Sequence, residues 1–341
     1  MPRIREIRAV PVDVALTEPF AIAGGAPPFA HNVFVRVELT SGEVRYGEAA
    51  PFTAVSGETQ SSTLAAIRSC APALVGAPVE DLRALRPVMP QAPAARCALE
   101  TALSDLPEIS GQKALETDIT IPAGTVEHAV AAAHRAAARG FATVKIKAGA
   151  AGWETDARRV RAVHAAEPSL RLIVDANCGY TLAEARRFLG ALGNATLDLF
   201  EQPVLPEALS DLQALTAEAP ICADESVRTP HDARRVADLG VAAINVKLMK
   251  CGVLDAEQVI ATAKDAGIPC MIGGMIETPL SMWYSARLAA ADPALFRHID
   301  LDTPLFMPPD VVTSPLTYDG PALTLTGGRP DAGRWFPAGP A

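Results

Sequence analysis

Leu170-Arg171-Leu172-Ile173-Val174-Asp175 is a short apolar run that ends in a carboxylate, and the same phrase recurs along the chain. Runs at 196–201 and 220–224 end in Glu201 and Asp224, and runs at 143–147 and 242–247 flank these three and end in Lys147 and Lys247. With 118–121, 269–273 and 296–302 there are eight such runs, separated by Ala/Arg/Glu-rich stretches of helical character. Lys147, Asp175, Glu201, Asp224 and Lys247 follow one another at 28, 26, 23 and 23 residues, and Asp300 comes 53 residues later, two units on. A period of about 25 residues is one strand, one helix and two short loops, and eight such units predict a (β/α)8 TIM barrel. A doubly wound sheet alternates in a similar way. It would not so naturally put chargeable residues at nearly every strand end, and no GxGxxG motif supports it.

Ahead of the runs, Ile4-Arg5-Glu6-Ile7-Arg8-Ala9-Val10 and Val33-Phe34-Val35-Arg36-Val37-Glu38-Leu39 alternate with period two, which predicts strands. Residues 60–110 read as helical, with interruptions at proline. This opening part is expected to be a small α+β unit. The chain has 341 residues, about a hundred more than a barrel requires.

Composition narrows the function. The net charge of −9, without a basic run, argues against nucleic acid, and aromatic residues at 5% do not favour a stacking surface. No long apolar stretch is free of charges or Pro/Gly breaks, so no membrane span is expected. The opening Met1-Pro2-Arg3-Ile4-Arg5-Glu6 lacks an apolar signal core, and a cytoplasmic protein is expected. The six cysteines, at 70, 97, 178, 222, 251 and 270, form no CxxC pair and read as reduced thiols.

A barrel builds its active site at the C-terminal ends of its strands. Asp175, Glu201 and Asp224 would converge there and repel one another unless a cation sat among them. An all-oxygen donor set selects a hard ion, Mg²⁺ first. The competing reading is three N-caps for the helices that follow. Lys145 and Lys147 share one face of the second strand, and Lys247, with Lys250 after it, ends the sixth. Strands two and six are opposite in an eight-membered ring. A substrate carboxylate on the metal would therefore have a lysine on each side of its α-carbon, an arrangement suited to proton removal and return. A lysine base needs a lowered pKa, which a neighbouring lysine and a divalent cation both favour. Asp300 and Asp302 share a face of the eighth strand, across the mouth from the metal, where they could hold a cationic group such as an ammonium.

Lys145-Ile146-Lys147, Asp175-Ala176-Asn177, Glu201-Gln202-Pro203, Ala223-Asp224-Glu225-Ser226 and Asn245-Val246-Lys247-Leu248 together resemble the enolase superfamily, muconate-lactonizing-enzyme subgroup. The resemblance spans essentially the whole chain, including Gly47-Glu48-Ala49-Ala50-Pro51. It implies a modified barrel at 117–310, an α+β capping domain at 1–116 and a C-terminal segment, 311–341, that returns to complete the cap. It also implies one Mg²⁺ per subunit on Asp175, Glu201 and Asp224, and an enolate intermediate stabilised by that ion. Lys147 and Lys247 would be the acid/base pair, with Lys145 and Asn177 as supporting neighbours and Glu225 behind the metal ligands. Asp300-Leu301-Asp302-Thr303-Pro304 is similar to the strand-eight DxD of the dipeptide epimerases, which binds the dipeptide's α-ammonium group. The implied reaction is epimerisation at the C-terminal residue of an L-Ala-L-Xaa type dipeptide, with a homo-oligomer possible.

The Ala-Glu epimerases carry an arginine in the cap loop after Pro-Phe, where Pro19-Phe20-Ala21-Ile22-Ala23-Gly24-Gly25 has Gly24. The resemblance therefore carries no Ala-Glu preference. Ile121, Met275, Ile276 and Glu277 are candidates to line the substrate pocket, with Lys145 on the substrate side. Other reactions of the subgroup (o-succinylbenzoate synthesis, N-acylamino-acid racemisation, cycloisomerisation) share the metal and lysines but do not require Asp300 and Asp302. A Schiff-base aldolase barrel would use Lys147 or Lys247 without a metal.

Overall fold

The computed structural model describes residues 2–17, 28–105 and 111–337. The alternating opening residues form β1 (Ile4–Ala15), β2 (Phe29–Leu39) and β3 (Val44–Ala49), an antiparallel sheet in that order. Val33, Val35, Val37 and Leu39 turn inward from β2 and share one core with Ile67 and Leu74 of the helix Gln60–Leu74 and Ala95 and Leu99 of the helix Pro93–Leu103. A Thr59–Ser62 capping box starts the first of these helices, and a proline at the first position starts the second, where its missing N–H costs nothing. Gly47 lets β3 lie directly on the second helix: a Cβ there would come 2.0 Å from the Ala98 carbonyl oxygen.

After β4 (Lys113–Glu116) come eight parallel strands. They are β5 (Ile119–Ile121), β6 (Thr143–Lys147), β7 (Arg171–Asp175), β8 (Leu199–Glu201), β9 (Ile221–Ala223), β10 (Ala243–Val246), β11 (Cys270–Ile272) and β12 (Phe296–Ile299). Each pairs with the next in chain order. The Asp118 N–H donates to the Ile299 carbonyl at 3.0 Å and joins the last strand to the first. This is the expected (β/α)8 barrel with an added antiparallel cap. Because side chains alternate along a strand, one layer of the interior is apolar: Ile173, Leu199, Cys222, Ala243 and Met271. Two residues further along the same strands, the next inward layer is Asp175, Glu201, Asp224, Asn245 and Gly273. Alternation thus turns a buried apolar strand into a polar rim.

The chain then returns. β13 (Leu316–Asp319) and β14 (Ala322–Leu325) form a hairpin, and β14 pairs with β4. Val311, Val312, Ala332 and Phe336 pack on Val12, Val14 and Phe34 of the first sheet. All six cysteines are free thiols, four of them buried. Among the described residues no helix is long and apolar enough to cross a membrane.

Candidate active site

Strand register puts the polar rim at one level: Lys147 pairs across from Asp175, and Asp175 from Glu201. The side chains are locked by partners. Lys147 Nζ donates to Asp175 Oδ2 at 2.6 Å, and Lys247 Nζ lies 2.7 Å from Asp224 Oδ2. Lys250 Nζ holds Asp224 Oδ1 at 2.6 Å and also reaches the carbonyls of Asp224 and Asn245. Asn245 Nδ2 donates to Glu201 Oε1 at 2.6 Å. Gln202 ties the rims of β8 and β9: its Oε1 accepts from the Asp224 and Ser226 N–H groups, both at 3.0 Å, and its Nε2 donates to Ser226 Oγ. Asn177 and Gln202, next to the carboxylates, take left-handed backbone conformations with φ of 43° and 33°. Such conformations persist where the surroundings over-determine them, commonly at functional sites.

Among the described residues, the buried carboxyl groups of Asp118, Asp175, Glu201, Asp224, Glu225, Asp300 and Asp302, with Glu277 beside them, outnumber the buried lysines gathered here (Lys145, Lys147, Lys247, Lys250). The excess is acidic, and it shows in the protonation of individual groups. Burial, then the charges of Asp175 and Asp224, push Glu201 up to about 8. Burial and Asp224 push Glu225 to about 7, and burial and Asp300 push Asp302 to about 6. Burial alone would raise Asp224 too, but Lys247 and Lys250 outweigh it and hold it well below the carboxylate range. The converse applies to Lys247. Burial would lower it, but the charges of Asp224 and Glu201 leave it raised, opposite to the lowered pKa expected of a base.

The donor set suits a hard cation. Asp175, Glu201 and Asp224 present carboxylate oxygens from adjacent strand ends, and the fully buried Glu201 Oε2 has no hydrogen-bond partner. Asp175 and Asp224 are turned to the lysines and Glu201 Oε1 to Asn245, and among the described residues no three acidic, His or Cys side chains close around one point.

The family described as Enolase C-terminal domain-like matches residues 128–330. The chain belongs to the enolase superfamily. An aromatic dipeptide epimerase of Herpetosiphon aurantiacus is 44% identical, over 89% of this chain and 91% of its own. The substrate-liganded L-Ala-D/L-Glu epimerase of Bacillus subtilis superposes with a TM-score of 0.88 at 31% identity, covering 96% of this chain and 97% of its own. The dipeptide epimerase of Enterococcus faecalis, solved with Mg and the dipeptide L-Leu-L-Tyr, gives 0.89 at 30% identity, covering 96% and 98%. These relatives place the chain among the racemase and epimerase isomerases of the superfamily.

A cleft opens over this rim, lined by Lys145, Lys147, Asn177, Glu225, Lys247, Met275, Asp300 and Asp302 together with Phe52, Val55, Thr120 and Ile276. One expectation changes. Ile121 does not line the cleft: it packs in the core, and Thr120 faces inward instead, since neighbours on a strand point to opposite sides. Asp300 is connected to the carboxylate cluster through a lysine. Lys145 donates to Asp300 Oδ2 and stands 3.9 Å from both Asp175 Oδ2 and Glu201 Oε2, so it bridges the two acidic groups. Asp302 Oδ2 accepts from the Thr120 N–H at 2.6 Å. Glu277 is buried beside the cleft, with its Oε1 accepting from the Met275 N–H at 2.8 Å. Gly24 and the rest of its loop, 19–25, lie outside the described residues.

The strand-end pattern gives no role to Asn245, Gln202, Asp118 or Arg159. Asn245 had a signal, since it is two residues before Lys247 and so faces the same way. Arg159 had none, because it reads as an exposed helix residue. It is fully buried and donates to the carbonyls of Lys147 and Pro122 at 2.6 and 2.7 Å, which pins the rim of β6.

Proposed function

We propose that the chain is a Mg²⁺-dependent dipeptide epimerase that inverts the α-carbon of the substrate's C-terminal residue by proton transfer between two lysines. The observation that carries this reading is the presence of Lys147 and Lys247 in one cleft, on strand ends four places apart in the ring of eight, with three carboxylates on the strands between. Asp175, Glu201 and Asp224 would hold the ion. When bound, it supplies positive charge against the negative charge that develops on the substrate's carboxylate as the α-proton leaves.

The remaining chemistry belongs to the chain's own groups. One lysine, as the neutral amine, takes the α-proton at Nζ, and the other, as the ammonium, returns a proton from the opposite side. Inversion follows because the two Nζ atoms approach from opposite walls of the barrel. Asp300 and Asp302 face the cleft with acidic oxygens suited to the dipeptide's α-ammonium group, and Lys145 orients Asp300. Phe52 and Val55 of the cap and Met275 and Ile276 of the barrel line the cleft with apolar surface. That lining suits an apolar second residue in an L-Ala-L-Xaa type dipeptide, as the aromatic and L-Leu-L-Tyr relatives suggest. On this reading residues 1–116 with 311–341 act as the cap and 117–310 as the catalytic barrel.

The test is incubation with L,L-dipeptides and Mg²⁺, with the stereoisomers resolved by chromatography. Conversion to the L,D form is expected for apolar second residues, and EDTA should abolish it. Asp300→Asn should cut turnover by about 10²-fold, the scale for removing one partner of a buried charge pair. Unchanged turnover in that variant would contradict the dipeptide reading.

A further inference from the structure

We infer that Arg96 and Glu100, on the cap helix Pro93–Leu103, are positioning residues for Lys247. The inference rests on the epimerase reading. Lys247 immediately precedes a helix of four residues, Leu248–Cys251, which ends at Gly252 and is followed at once by the helix Val253–Asp265. One turn of helix has little stiffness of its own, so what grips its two ends decides where Lys247 sits. The barrel grips the first end through Lys250, which reaches Asp224 and the Asn245 carbonyl.

The cap grips the second end. Glu100 is fully buried, and its Oε2 accepts from the Val253 N–H and from the Leu254 N–H, the latter at 3.1 Å. Arg96 donates to the Cys251 carbonyl and to Asp255 Oδ2, the latter at 2.7 Å, and its Nε stands 3.5 Å from Glu100 Oε1. Arg86 adds two bonds to Asp255, at 2.7 and 2.8 Å. The approach is close enough to dictate the sequence: a Cβ on Gly252, whose φ is +79°, would meet Glu100 Oε2 at 2.6 Å and Arg96 Nε at 2.8 Å. The Ala50 N–H adds a contact of 3.4 Å to Met249 Sδ within the same turn.

The opposing lysine is held differently. The Lys147 carbonyl accepts from Arg159, and Asp156 holds the Gly149 N–H, so barrel groups pin that side. A change in the cap helix should therefore disturb one face of the reaction and spare the other.

Exchange of the α-proton in D₂O with Mg²⁺, started separately from each stereoisomer of one dipeptide, reads the two lysines separately. Lys247→Arg identifies the stereoisomer whose exchange depends on that lysine. In Glu100→Ala, exchange from that stereoisomer should fall about 10-fold or more, the scale of a sub-ångström to ångström misplacement, while the other stays within about twofold. Glu100→Gln, which keeps an acceptor, should recover most of the loss. If Glu100→Ala does not fold, Arg96→Met, which retains the aliphatic stem, carries the same expectation. An equal fall from both stereoisomers, or no fall, would overturn the inference and leave the epimerase reading intact. A wild-type enzyme that exchanges neither stereoisomer would contradict the epimerase reading itself, and this inference with it.

Discussion

Asn245 shows how much of the site depends on groups that do not line the cleft. It contributes one donor, 2.6 Å from Glu201 Oε1, and is itself wholly buried. Without it, one oxygen of a central carboxylate loses its partner. Asn245→Leu is expected to raise the Mg²⁺ concentration for half-maximal turnover by about 10- to 100-fold, as for other groups that orient metal ligands. Titrating Mg²⁺ into EDTA-stripped protein measures this, and an unchanged midpoint would refute it. At this scale the sequence was legible wherever period two applied: Asp175, Glu201 and Asp224 stand two residues beyond an apolar inward layer. It was illegible for the pairing of Lys145 with Asp300, which joins residues 155 apart and follows from closure of the ring. It was illegible also for Arg159, whose carbonyl partners at Pro122 and Lys147 lie on other elements.

The cap and barrel meet through particular elements, and Glu48 on β3 is one such joint. Its Oε1 accepts from Asn32 Nδ2 at 2.7 Å, and its Oε2 from Thr278 Oγ1 at 2.7 Å and the Ser281 N–H at 3.1 Å. Asn32 also donates to the Ile276 carbonyl, so this joint fixes the segment that lines the cleft. Glu48→Ala leaves several buried donors without an acceptor and should cost about 2–4 kcal/mol in denaturant unfolding. Burial raises the Glu48 carboxyl from 4.5 to about 8, with the donors of Thr278 and Ser281 opposing and the charge of Glu277 adding to the rise. A carboxyl raised on folding contributes stability that is present below its unfolded pKa and lost as pH rises through the folded one. Between about pH 4.5 and 8, Glu48 should therefore reduce stability by up to about 1.4 kcal/mol per pH unit. Glu48→Gln should show a flatter pH dependence over that window, and an unaltered slope would contradict this assignment. The element pattern of barrel and first sheet was readable from periodicity. The β13–β14 hairpin was not, because its pairing with β4 spans most of the chain.

Taken whole, the molecule is a barrel whose polar rim carries more buried acid than base, closed by a cap made from both ends of the chain. Mg²⁺ should stabilise it against unfolding by about 2.7 kcal/mol at 100 times its dissociation constant, read as an upward shift in the thermal midpoint. An equal ionic strength of NaCl should not reproduce the shift, because a buried site is poorly screened and Na⁺ carries half the charge. Equal shifts from both salts would contradict a specific site. Two lysines on opposite faces of one α-carbon would exchange its proton with solvent as they invert it. The most direct measurement is deuterium uptake in D₂O with Mg²⁺, read by mass spectrometry across L-Ala-L-Xaa dipeptides. One α-deuterium is expected in the C-terminal residue, with uptake largest for apolar second residues, accompanied by the inverted isomer and absent in EDTA. No α-deuterium in any member of the library would contradict it.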